Sequence, residues 1–178
     1  MRQLLLLRHA KSSWDADNLP DRDRPLNARG RRSTVAIRKV MRDLGLQPDI
    51  VLVSTARRTL ETLDLLEPWD ETPLVEPMEG LYLASATQLL AILNNVAETA
   101  RAVLLIGHNP GLHELALALA GNAVEDHEVA HHEPLRGLIQ GFPTGALAEF
   151  VIPGAWREVG PDKGRLVRFL TPRGLESA

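Results

Sequence analysis

Apolar and polar positions along this chain alternate between short unbroken apolar runs and longer stretches with helical spacing. Gln3 to His9 starts as a run of leucines and ends in Arg8-His9, the pattern of a strand buried on both faces in a parallel sheet. Asp49 to Ser54 and Ala102 to Gly107 repeat it. Between these runs the period lengthens. A helix is expected from Asn27, with Ile37, Val40, Met41 and Leu44 on one face and Gly45 as its stop. A second is expected over residues 56–66, carrying Leu60, Leu63 and Leu66 on one face. Ser85 and Gln88 form a capping box that opens a third, striped by Leu89, Ile92, Leu93 and Val96. Asn109 is the expected cap of a fourth, with Pro110 in its first turn, Leu112, Leu115, Ala116 and Leu119 inward, and Gly121 closing it.

Residues 10–26 hold Asp, Asn and two prolines and read as a loop, and 122–145 read as polar and irregular. Ala146–Ile152 and Arg165–Thr171 read as two strands, antiparallel across a Gly/Pro-rich connection. Strand and helix alternation predicts a three-layer α/β/α sandwich, its sheet mostly parallel with an antiparallel C-terminal edge. One domain over residues 1–178 is the expectation for this length.

Composition narrows the partners. There is no cysteine, which excludes disulfides and thiolate metal sites. The apolar run near the N-terminus is four leucines, too short for a membrane span or a secretory core, so a cytoplasmic location is the default expectation. A formal charge of −3 gives no global field for nucleic acid. Arg22, Arg24, Arg29, Arg31, Arg32 and Arg38 cluster early; they read chiefly as a solvated face, with an anion-attracting rim as the alternative.

Ligands of open α/β sheets bind beyond the carboxyl ends of the strands. The first strand ends in Arg8-His9, the second in Ser54 followed by Thr55-Ala56-Arg57-Arg58, and the inner strand in Gly107-His108-Asn109-Pro110-Gly111. Two imidazoles and at least two guanidiniums would converge there. That set suits phosphate, because a guanidinium fork matches phosphate oxygens and stays charged. A helix N-terminus beside His108 would add backbone donors, and a neutral imidazole is a competent nucleophile.

LLLLRHAKSSWD resembles the opening Arg-His motif of the histidine phosphatase (phosphoglycerate mutase-like) superfamily, and VLVSTARRTLET resembles its second motif through Ser54, Arg58 and Thr62. LLIGHNPGL is similar to the segment bearing the second histidine, here His108. DRDRPLNARGRR and FPTGALAEF are similar to segments of the SixA-type phosphohistidine phosphatases. The resemblance implies a phosphohistidine on His9, with Arg8, Arg58 and His108 binding and stabilising the transferring group, and no metal or other cofactor. Substrates would be a phosphorylated protein or a small phosphorylated molecule; no oligomeric state follows. Ala10 and Lys11 stand where the mutase and sugar-phosphatase branches usually carry Gly, which favours the SixA-type branch. Those branches use a carboxylate to protonate the leaving oxygen, and the candidate for it is Glu79 in PMEGLYLAS.

His127-Glu128-Val129-Ala130-His131 matches H-E-x-x-H, the helical zinc-hydrolase motif. It lacks an apolar stripe, sits among Glu125, Asp126, His132 and Glu133, and is followed by Pro134 with no evident third ligand. There is no G-x-G-x-x-G and no G-x-x-x-x-G-K-[ST]. A small-molecule phosphatase or mutase of the same superfamily is the nearest alternative. A zinc hydrolase and a catalytically silent phosphoprotein-binding module are more distant ones.

Overall fold

A computed structural model describes residues 1–15 and 17–177. Its strands are β1 (Arg2–Arg8), β2 (Ile50–Ser54), β3 (Leu74–Met78), β4 (Ala102–Gly107), β5 (Leu147–Ile152) and β6 (Arg165–Leu170). Its helices are α1 (Ala28–Asp43), α2 (Arg57–Leu66), α3 (Ala86–Asn94), α4 (Gly111–Ala120), α5 (Asn122–Glu125), α6 (His127–Ala130), α7 (Leu135–Gln140) and α8 (Pro172–Glu176). The strands form one six-stranded sheet in the order β3-β2-β4-β1-β5-β6. β1, β2, β3 and β4 run parallel, and β5 and β6 are antiparallel additions at one edge. The expected α/β/α sandwich with an antiparallel C-terminal edge is the fold observed.

Alternation along β1 builds the three layers. Leu4 and Leu6 face one apolar cluster with Leu89 and Leu93 of α3, Leu112 and Leu115 of α4, and Leu138 of α7. Leu5 and Leu7 face the other, with Ile37 and Met41 of α1 and Leu63 and Leu66 of α2. Successive side chains on a strand point to opposite faces, so an unbroken leucine run demands helices on both sides.

Local signals act as written in several places. The Asn27 side chain accepts from Gly30 N at 2.8 Å and caps α1, and Ser85 and Gln88 form the reciprocal capping box of α3. Gly45, at φ +66°, follows α1. Elsewhere the structure departs from expectation. Asn109 does not cap α4; its Nδ2 donates to Phe142 O at 2.8 Å, and the helix begins after Pro110. Residues 122–145 are not mainly loop but hold α5, α6 and α7, too short to show a period. Leu135 and Leu138 are the buried positions that hold α7 on the core. Arg24 is buried, not solvated, and its Nη1 donates to Ser12 Oγ at 2.8 Å. Leu44, expected inward, is exposed. Among the described residues no helix is long and apolar enough to cross a membrane.

Two glycines set the helices close to the site. A Cβ on Gly30 would stand 2.2 Å from Lys11 O, so only glycine lets α1 meet the backbone just after His9. A Cβ on Gly111 would stand 1.9 Å from Ala84 O, where α4 leaves His108.

Candidate active site

The two inner parallel strands end side by side. His9 N donates to Gly107 O at 3.2 Å, so the first residue past β1 is pinned to the last residue of β4. This brings His9 and His108 together, ring centroids 5.3 Å apart, and each is nearly sealed from solvent at 6% and 2% exposure. Past β2, α2 turns Arg58 inward to 3% side-chain exposure while Arg57 points out and pairs with Glu61 at 3.2 Å. Residues one apart on a helix diverge by about 100°, so one of the pair faces the site.

Thr62 explains the third position of its motif. Its Oγ1 accepts from Ala10 N at 3.1 Å and donates to Arg58 O at 2.7 Å, joining the turn after His9 to the helix that carries Arg58. His9 Nδ1 lies 2.8 Å from Ala10 O. A carbonyl only accepts, so Nδ1 carries the hydrogen and Nε2 keeps the lone pair. Burial pushes the His9 imidazole down to about 3 despite that carbonyl bond, helped by His108, Arg58 and Arg8. The ring is therefore neutral near pH 7.

His108 is fixed by two contacts. Its Nε2 lies 2.7 Å from Ser54 Oγ, and its Nδ1 lies 3.4 Å from Arg58 Nη2. Guanidinium groups only donate, so Nδ1 accepts and Nε2–H donates to the serine. Burial and then Arg58 lower the His108 imidazole to about 4, with Asp21 pulling the other way. Arg8 Nη1 donates to Phe142 O at 3.1 Å, and burial followed by the Arg58 charge lowers its pKa. The Nε atoms of Arg8 and Arg58 are buried without a hydrogen-bond partner among the described residues. These side chains line a cavity of about 360 Å³ together with Lys11, Trp14 and Asp21.

Asp21 was not singled out in the sequence, yet it organises the pocket. Arg58 Nη1 donates to its carbonyl at 2.7 Å and Nη2 to its Oδ2 at 3.0 Å, while the Tyr82 hydroxyl donates to the same Oδ2. Burial alone would raise this carboxyl, but Tyr82, Arg58 and Arg24 hold it at about 2. Its signal was weak, one of several acids in the loop 10–26, although the DRDRPLN segment containing it carried part of the family resemblance. Tyr82, the one tyrosine of the chain, packs edge-on to His108 at 5.4 Å.

Glu79 stands one step further out. It is 70% exposed, paired with Arg22 at 2.6 Å and accepting from Thr55 Oγ1 at 3.0 Å. Arg22 first, and Thr55 after it, hold its carboxyl below the usual range. The Arg22 guanidinium in turn lies over Tyr82, 4.6 Å from the ring centre. Arg8, His9, Arg58 and His108 converge; Glu79 meets them through the Arg22–Tyr82–Asp21 chain. His127 opens the single exposed turn of α6 and His131 caps its end, their ring centres 6.2 Å apart. Among the described residues no cluster of three or more His, Asp or Glu side chains is placed to hold a metal ion.

A neutral buried imidazole beside two fixed guanidiniums, at the carboxyl edge of a parallel sheet, defines the class: a phosphatase with a histidine nucleophile. Comparison with known proteins agrees. Residues 4–81 match the model of the histidine phosphatase superfamily (branch 1). An uncharacterized protein of Mycobacterium tuberculosis is 33% identical over 170 residues, spanning 94% of this chain and all of that protein. The structure of a putative phosphohistidine phosphatase SixA from Nakamurella multipartitia superposes with a TM-score of 0.82 at 27% identity, covering 96% of each chain. Its counterpart from Agrobacterium tumefaciens gives 0.78 at 27% identity, over 96% of this chain and 98% of that one. The chain belongs to the histidine phosphatase superfamily, is similar in structure to the SixA proteins, and acts on phosphorylated substrates.

Proposed function

We propose that this protein removes the phosphoryl group from phosphohistidine carried on another protein, by way of a phosphohistidine on His9. The observation that carries the reading is the state of the His9 ring: Nδ1–H engaged by Ala10 O, Nε2 unprotonated, and the whole ring neutral through burial. The Nε2 lone pair attacks phosphorus. As that N–P bond forms, the bond from phosphorus to the substrate imidazole breaks, and the departing ring takes up a proton from solvent water. Water then attacks the phosphorus on His9, releasing inorganic phosphate and returning the neutral imidazole. Arg8 and Arg58 face the equatorial oxygens, and Asp21 and Ser54 hold Arg58 and His108 in register for that work.

The leaving group favours phosphohistidine over an alkyl phosphate. Asp21 is held in its ionised form by Tyr82 and Arg58, and Glu79 by Arg22, so neither is ready to donate a proton near pH 7. An imidazole departs with less help from an acid than an alkoxide does. Short exposure to a labelled phosphohistidine peptide, quenched without acid, is expected to leave acid-labile, base-stable label on His9. Full activity of His9→Ala, or no label at His9, overturns the covalent route. A higher kcat/KM on a free sugar phosphate than on the peptide moves the protein to the small-molecule branch.

A further inference from the structure

Beside the catalytic cavity lies a larger groove of about 1170 Å³, and the two share Arg8, Lys11, Asn109 and Thr144 as common wall. Its apolar floor includes Phe142, Phe169 and Leu170. Its charged lining is Arg8, Lys11, Arg29 and Arg173 against one carboxylate, Glu133, on a chain whose formal charge is −3. Lys11, Arg29 and Arg173 form no ion pair among the described residues. Around the catalytic cavity, by contrast, Arg22, Arg24, Arg31, Arg57 and Arg58 are all paired with carboxylates.

Backbone placement brings two of these cations to one spot. Ser33 Oγ and Pro172 Cγ lie 3.5 Å and 3.0 Å from the position a Cβ on Gly145 would take, so α1 and the start of α8 meet over that glycine. Arg29 lies one helical turn before Ser33, and Arg173 follows Pro172. Glu133 lies beside α7, with its Oε2 3.1 Å from a Cβ position on Gly137, next to Phe169. The groove thus carries cations along its α1–α8 wall and its one carboxylate beside α7.

We propose that this groove binds an acidic stretch of the polypeptide that carries the phosphohistidine, the α1–α8 wall meeting its carboxylates while the phosphoryl group sits in the cavity next door. The assignment rests on the phosphohistidine reading for the substrate and adds the character of its flanking sequence. Its volume exceeds the roughly 300–1,000 Å³ of ordinary small-molecule sites, which favours a chain segment with side chains over a single small anion. Separated charges of this kind set specificity and association rate, and are screened by salt.

Two phosphohistidine peptides of equal length test it, one flanked by Asp and Glu, the other by Asn and Gln. Wild type should favour the acidic peptide in kcat/KM by about tenfold at low salt. Arg29→Glu with Arg173→Glu, and high salt alone, should each bring the ratio to about one, with turnover of p-nitrophenyl phosphate unchanged in the double variant. Arg29→Gln with Arg173→Gln should give an intermediate ratio. Equal kcat/KM on both peptides in wild type, or a preference that survives charge reversal, overturns the proposal.

Binding of the unphosphorylated acidic peptide, followed by fluorescence anisotropy, separates the groove from the chemistry. If neither phosphopeptide is turned over but the acidic peptide binds wild type and not the reversed variant, the groove stands and the substrate reading falls. Absence of binding to wild type sinks the groove. Tripolyphosphate binding as tightly as the peptide, and lost on the same reversal, would make it a site for small polyanions and overturn the polypeptide assignment.

Discussion

Arg57 and Arg58 are chemically identical neighbours with opposite fates. One is held by Glu61 at the surface, the other is sealed in the pocket with Asp21 and His108. Arg58→Ala is expected to lower kcat/KM by about 10²–10³-fold, the loss seen when one preorganised transition-state donor is removed. Arg57→Ala should stay within about threefold, because an exposed i,i+4 pair contributes little. Steady-state kinetics of both variants decides this, and equal losses would mean the wrong arginine has been given the phosphate. Glu79→Gln should likewise be mild on phosphohistidine, and Asp21→Asn severe, since Asp21 holds Arg58 directly and Glu79 acts only through Arg22. The sequence could mark Arg8, His9, Arg58 and His108 because each stands at a strand end or the turn just after, where position alone points inward. Asp21 and Tyr82 escaped because they lie in segments without a period, and what makes them matter is a contact 61 residues apart in the chain.

At the level of elements, the close approach of helix to loop is the sensitive feature. Gly30→Ala and Gly111→Ala each drive a Cβ into a backbone carbonyl, and overpacking of this kind costs about 1–3 kcal/mol when the structure can shift. Thermal denaturation should show both less stable than wild type, with activity lost faster than stability because α1 and α4 abut the segments after His9 and Ala84. A wild-type melting temperature in either variant would contradict the packing. The His-rich turn of α6 is expected to matter little: His127→Ala with His131→Ala, assayed with and without chelator, should retain activity, since arginines supply the positive charge at the pocket. Buried strands and long capped helices were legible because burial on both faces, or a stripe plus a cap, writes a regular pattern. The segment 122–145 was not, because α5, α6 and α7 are each six residues or fewer and are held by tertiary contacts such as Leu138 on the core. β3 was similarly faint: it is an edge strand with exposed Leu74 and Val75 and an internal proline.

Over the whole molecule, the two buried imidazoles couple stability to pH. Their native values, about 3 for His9 and about 4 for His108, lie below the ~6.5 of an unfolded chain. Between roughly pH 6.5 and those values the unfolded state binds protons that the native state refuses, so stability falls as the solution is acidified. Asp21, at about 2 against ~3.9 unfolded, adds stability that is present above ~3.9 and lost as pH falls through 2. All three act in the same direction. Denaturant midpoints should drop from pH 7 to pH 5, and the drop should shrink in a His9→Asn, His108→Asn variant. NMR titration should find neither imidazole gaining a proton across that range in the free protein. The strand order has a consequence for a chain still on the ribosome. β4 lies between β1 and β2, which have no ladder with each other, so the first fifty-four residues emerge as two strands without a neighbour. The sheet can close only when residues 102–107 are synthesised and slide into the gap, and the same event delivers His108 to His9. Nascent chains stalled before residue 102 should therefore be digested throughout by protease, whereas chains released at full length resist it, because Phe142 and β5 must still follow the middle strand to lock Arg8 and β1 in place.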